Sequence, residues 1–189
     1  MEKATIIDKA IDAASIVSQI TSVPAEELTK YLVAISFVES TFDPKAKNKS
    51  STARGLTQVL INSQRWIEDK LKIPQVPAMH KASKYPKAPV TPYSEDDKMF
   101  NPDYALLIGG WYLAYNYKRY NNWHKAITAY HLGSYKSSSQ DGIIYKNKVL
   151  KAFSELNLGE PLKKSTIKKV PVRILVASGG ENLYYFDYY

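Results

Sequence analysis

Apolar residues recur at helical spacing in segment after segment of this chain, and the breaks between segments fall at proline, glycine and asparagine. Ile6, Ile7, Ala10, Ile11, Ala14, Val17 and Ile20 form one stripe, and Leu28, Tyr31, Leu32, Ile35 and Val38 form the next. Pro24 with Glu26 and Glu27 opens that second helix, because proline is tolerated in a first turn and carboxylates suit its positive end. It is expected to stop near Glu39-Ser40, before Asp43-Pro44. A polar loop, Lys45–Arg54, leads to an apolar patch at Leu56–Ile61. A short helix through Trp66, Ile67 and Leu71 follows, with Asn62 or Ser63 as its cap. Asn101 as N-cap and Pro102 as first residue start a helix that runs to about Tyr120. Gly109-Gly110 in its middle implies close packing against another element. A helix from Trp123 to His131 ends at Gly133, a Ser-rich loop spans Gly133–Gly142, and a last stripe carries Tyr145, Val149, Leu150, Phe153 and Leu156.

The expected fold is therefore mainly α, one domain over residues 1–156. Two segments stand apart from it. Residues 74–100 are a proline-rich excursion, with five of the ten prolines between Pro74 and Pro92. Residues 157–189 are a basic linker and an aromatic tail, with Val170–Val176 as a short strand that Pro171 confines to an edge.

At 189 residues and 44% hydrophobic content the chain can bury a core without a covalent staple. The absence of cysteine excludes a disulfide scaffold, a thiol nucleophile and a cysteine-zinc site. His80, His124 and His131 are too few and too scattered for an all-histidine metal site, and no metal or other cofactor is expected. No stretch supplies the ~20 apolar residues of a transmembrane segment. Asp8, Lys9 and Asp12 interrupt any apolar core of a secretory leader. The net charge of +8 calls for an anionic partner: nucleic acid, acidic membrane or anionic cell wall.

Glu39 is the residue with the clearest chemical potential. It sits at the end of an apolar helix on the edge of the buried stripe. Desolvation and the negative helix end both disfavour its ionised form and raise its pKa. A carboxylic acid kept protonated near neutral pH is what protonation of a glycosidic oxygen requires. Taken alone, the residue reads more readily as a surface glutamate at a helix terminus.

Its neighbours narrow the choice. Glu39-Ser40-Thr41-Phe42-Asp43-Pro44-Lys45-Ala46 is followed by Gly55-Leu56-Thr57-Gln58, then Asn101-Pro102, then Ala129-Tyr130-His131-Leu132-Gly133. This order resembles the soluble lytic transglycosylase family of the lysozyme superfamily over about Leu28–Phe153. The resemblance implies a lysozyme-like helical domain with a cleft. It also implies cleavage of the β-1,4 bond between N-acetylmuramic acid and N-acetylglucosamine, with a 1,6-anhydro product. Glu39 maps onto the single general acid and base. Gln58 maps onto a substrate-binding glutamine, Tyr130 onto a tyrosine that orients the acid, and Tyr145 onto a second aromatic of the cleft. Ser50, ahead of Ser51, maps onto a substrate-contacting serine. Thr57 stands where the family has methionine, which would make one cleft wall polar. His131 replaces an asparagine, either as a plain substitute donor or with altered hydrogen bonding or pH sensitivity at the acid, and Ala105 stands where asparagine is common.

The implied partner is the peptidoglycan glycan strand, with no nucleic acid, and with the tail docking other virion proteins or folding back onto the domain. The implied setting is a bacteriophage virion or the host cell envelope, or else a bacterial protein with non-standard export. A goose-type lysozyme-like hydrolase is the nearest alternative, with Asp43, Asp96, Asp97 or Asp103 as its second acid. A non-catalytic wall-binding or virion structural module is the second alternative. A nucleic-acid binder acting through Lys163, Lys164, Lys168, Lys169 and Arg173 is the third.

Overall fold

A computed structural model describes residues 1–72 and 97–162. Six α-helices form there: α1 (Lys3–Thr21), α2 (Ala25–Ser40), α3 (Ile61–Leu71), α4 (Pro102–Tyr120), α5 (Trp123–Leu132) and α6 (Gln140–Glu155). A 3-10 turn, Lys98–Phe100, precedes α4. No strand occurs among the described residues, where antiparallel pairing is confined to isolated bridges of Arg54 with Lys47 and with Val59. The mainly α architecture agrees with the stripes in the sequence. Among the described residues no helix is long and apolar enough to cross a membrane. The predicted excursion up to residue 96, the predicted edge strand and the aromatic tail lie outside the described residues.

α4 is the central element, packed on α1, α5 and α2, and every residue from Tyr104 to Trp111 is buried. Its start is as the sequence predicts: the Asn101 side chain accepts from the N–H groups of Asp103 (2.9 Å) and Tyr104 (3.2 Å), with Pro102 first in the helix. The glycine pair lets neighbours close in on both sides. A Cβ on Gly110 would lie 3.2 Å from Leu32 of α2, and one on Gly109 would lie 2.6 Å from Thr57. Gly109→Ala is therefore expected to destabilise by about 1–3 kcal/mol, although alanine is the better helix former. A urea midpoint equal to or above that of the wild type would contradict this packing.

Two boundaries differ from expectation. α3 starts at Ile61 with Leu60 in the cap position and no side-chain cap, so neither Asn62 nor Ser63 serves. The Ile61 N–H is instead satisfied by Thr52 Oγ1 (3.1 Å), nine residues back in the loop. α6 begins two residues before Gly142, with Ser139 Oγ accepting from the Gly142 N–H.

The loop between α2 and α3 folds around a buried arginine that its polar composition does not announce. Arg54 is fully buried. Its Nε donates to Asp97 (2.7 Å) and its Nη2 to Gln64 (2.6 Å). Gln64 passes the network to Glu68 (2.8 Å), which also accepts from the Tyr104 hydroxyl. Loop, α3, α4 and the 3-10 turn are thereby joined through polar groups that satisfy one another in the interior.

Candidate active site

α2 delivers Glu39 to its last turn, and the backbone there reverses sharply. Thr41 (φ 52) and Phe42 (φ 63) are consecutive left-handed residues, each costing roughly 1–2 kcal/mol. Burial of the Phe42 ring beside Phe37 (centroids 5.3 Å apart) offsets the strain. Ser40 fastens the turn, its Oγ lying 2.9 Å from Ser36 O and 3.0 Å from Leu56 O. The chain is so turned that the loop up to Gln58 faces the carboxyl of Glu39.

The result is a cleft of about 370 Å³ whose lining includes Glu39, Ser51, Gln58, Tyr112, Tyr130 and His131. Glu39 is the one carboxylate among the described residues that line it. Burial raises its pKa to about 7, against a hydrogen bond from Tyr145 that opposes the rise. That bond, Tyr145 Oη to Glu39 Oε1, is 2.6 Å long. Burial, followed by the nearby Glu39 charge, holds the Tyr145 and Tyr130 phenols well above their ordinary range, so both remain donors. The site thus holds a carboxyl that exchanges its proton near neutrality, aimed by a phenol and half-buried at the cleft wall. Such a group can deliver and recover a proton within one reaction.

Gln58, itself left-handed (φ 48), spends both amide hydrogens on the loop carbonyls of Gly55 (2.9 Å) and Ala46 (3.2 Å), leaving Oε1 as the acceptor for the cleft. Gly55 is fixed by geometry: its φ is +71, and a Cβ would lie 1.9 Å from the Met99 carbonyl oxygen. His131 stacks on Tyr145 with centroids 4.3 Å apart and planes 8° apart. Burial holds its imidazole below the ordinary range; Asp141 pulls the other way and Lys148 adds to the lowering. Among the described residues no group of three or more His, Cys, Asp or Glu side chains is placed to hold a metal ion.

The family model of the transglycosylase SLT domain matches residues 23–149. The chain belongs to this family. No curated protein matches the chain. Two solved structures that match the chain are a 70 kDa soluble lytic transglycosylase in complex with bulgecin A and the 70 kDa soluble lytic transglycosylase of Escherichia coli. Each is 21% identical with a TM-score of 0.45, over 78% and 77% of this chain respectively. The chain spans about a fifth of the length of either.

Against the SLT-family pattern, the geometry reassigns three positions. The hydrogen bond to Glu39 comes from Tyr145, whereas the Tyr130 hydroxyl donates to the Thr57 carbonyl (2.8 Å). Tyr130 lies in the cleft lining but not on the acid. Ser50 is exposed and turned to Asn48, to which both its N–H (2.9 Å) and its Oγ (3.0 Å) donate; of the two neighbours it is Ser51 that lines the cleft. Thr57 forms no polar cleft wall. It is fully buried, and its hydroxyl donates to the Ala105 carbonyl (2.9 Å) beside Gly109. Two of the three departures from the SLT pattern, Thr57 and Ala105, are thus joined to each other inside the core.

The bond from Tyr145 makes a prediction at the site itself. It favours the ionised form of Glu39, so Tyr145→Phe removes that support and the carboxyl titrates above pH 7. A carbon-13 NMR titration of the Glu39 carboxyl reads this directly. An unchanged or lowered midpoint would contradict the assignment.

Proposed function

We propose that this chain is a peptidoglycan lytic transglycosylase in which Glu39 is the single general acid and base. The observation that carries the reading is one half-buried, hydrogen-bonded carboxyl with a pKa raised to about 7 on a cleft that holds no other carboxylate among its described residues. Membership of the SLT family supports the same reading.

The following steps are consistent with that geometry. Protonated Glu39 gives its proton to the leaving oxygen of N-acetylglucosamine as the β-1,4 bond to C1 of the muramyl residue breaks. The resulting carboxylate takes the proton of the muramyl 6-hydroxyl, whose oxygen bonds to C1. Glu39 ends protonated, as it began, and no water is consumed. Tyr145 holds the carboxyl in place through both transfers. Gln58 and Ser51, which line the cleft, contact the strand in this reading, and the loop carbonyls that accept from the Gln58 amide fix it beforehand.

A hydrolase would need a second acid to activate water at paired-glycosidase distance. Asp97 is engaged with Arg54, Asp103 with Lys9 (2.7 Å), and Asp43 caps the Lys45 N–H (2.9 Å); none lines the cleft. Asp96 lies outside the described residues. Mass spectrometry of the fragments released from purified sacculi tests the choice. Anhydro-muramyl ends are expected, and reducing muramyl ends in their place would assign the chain to the goose-type hydrolases.

A further inference from the structure

The basic charge of this chain is concentrated. Between residues 118 and 151 stand seven lysines or arginines and one aspartate, a net +6 out of the chain's +8. Three of these lysines come from three different segments to surround one concavity: Lys125 on α5, Lys136 in the following loop and Lys146 on α6. The cavity measures about 400 Å³, and no carboxylate is among the described residues that line it. None of the three lysines forms an ion pair with another described residue. Like charges gathered without counterions repel, and an anion in their midst relieves that repulsion.

The site is also partly arranged in advance. Lys125 Nζ is held 5.4 Å from the centre of the Tyr135 ring, and the Tyr135 N–H is tied to the Tyr120 hydroxyl (3.0 Å). The Ser137 side chain and the N-terminal end of α5 add donors and positive potential on the same side. The catalytic cleft uses the opposite end of the same helix, through Tyr130 and His131.

We propose that this concavity binds a phosphodiester polyanion of the cell wall, a polyol-phosphate chain attached to the peptidoglycan, as a second site apart from the cleft. The choice of a wall polymer as the source rests on the transglycosylase reading; the affinity for linked phosphates does not. Three compact ammonium groups around a small cavity suit successive phosphates. Stacking with bases is disfavoured, because Tyr135, the one Phe, Tyr or Trp among the described residues of the lining, has a lysine over its ring and Tyr120 against it (5.8 Å). A strand held here is tethered one helix length from the acid.

Linear polyphosphate, titrated calorimetrically against the full chain, is the direct probe. The triple variant Lys125→Gln, Lys136→Gln, Lys146→Gln is expected to bind it at least about 10-fold more weakly at ~0.1 M salt, with a salt dependence shallower by roughly two in log–log slope. Glu39→Gln is expected to bind it as the wild type does. The triple variant should also lose retention on walls bearing polyol-phosphate chains, yet cleave walls stripped of them by hydrofluoric acid at the wild-type rate. That rate, with an unchanged melting temperature, shows the variant folded. Unchanged polyphosphate affinity in the triple variant would overturn the proposal. So would loss of binding in Glu39→Gln, or duplex DNA outcompeting polyphosphate at equal charge. If the wild type fails to cleave stripped walls, the catalytic reading falls while the polyphosphate titration still decides this one.

Discussion

Glu39→Gln is expected to lower glycan cleavage by about 10³-fold or more while leaving the chain folded and, at pH 8, more stable than the wild type. The activity loss follows from the double duty of one carboxyl: glutamine can neither give a proton to the leaving oxygen nor take one from the attacking hydroxyl. The stability gain follows from linkage. The pKa of Glu39 is about 7 in the fold against an ordinary value of 4.5. Across that interval the folded chain holds a proton that the unfolded chain has released, so stability falls as pH rises through the interval and stays lower above it. The loss amounts to roughly 3 kcal/mol for the wild type. Glutamine keeps an oxygen for Tyr145 and carries no charge to desolvate. The variant should therefore melt several degrees above the wild type at pH 8 and about level with it at pH 4. Paired melting curves at the two pH values, with turnover on sacculi, check both halves. A variant that is inactive and also unstable at pH 8 would mean that Glu39 is a structural residue.

Arg54→Leu is expected to cost about 3–5 kcal/mol, the penalty for removing one partner of a buried ion pair. Asp97 would keep a nearly buried charge without its counterion, and Gln64 would lose its 2.6 Å donor. The network that ties the 3-10 turn, α3 and the loop would open. In thermal unfolding this corresponds to roughly 10 °C. Because the backbone bridges of Arg54 to Lys47 and Val59 bracket Gln58, cleavage should weaken as well. A urea midpoint within 1 kcal/mol of wild type would contradict the assigned role.

How far the sequence carried the structure depends on the range over which each feature is decided. α4 was legible at both ends, because Asn101-Pro102 caps it locally and its stripe runs unbroken to Tyr120. Gly109-Gly110 was legible as close packing, but not which side meets Thr57. α3 was misjudged at its start because the group that satisfies Ile61 lies across a loop, on Thr52. Arg54 reads only as the end of a polar loop, since its partners stand 10 and 43 positions away, where local composition carries no information.

The site divides in the same way. Glu39 stood out because a carboxylate at the end of an apolar helix is a local anomaly, and burial then raises its pKa as the helix position suggested. Which tyrosine reaches it is settled by the packing of α6 on α2, 106 residues apart in sequence, and the family pattern assigned that bond to Tyr130 rather than to Tyr145. The stack of His131 on Tyr145 was hidden for the same reason: it needs α5 and α6 side by side. Ser51 could have been preferred to Ser50 only by seeing that Asn48 engages the latter.

The central claim is that one carboxyl performs both proton transfers and that the muramyl hydroxyl, not water, closes the reaction. Digestion of sacculi in water enriched in heavy oxygen, with mass spectrometry of the released fragments, tests it most directly. The account predicts anhydro-muramyl ends that carry no label. Labelled reducing ends would show that water attacks C1, and would contradict it.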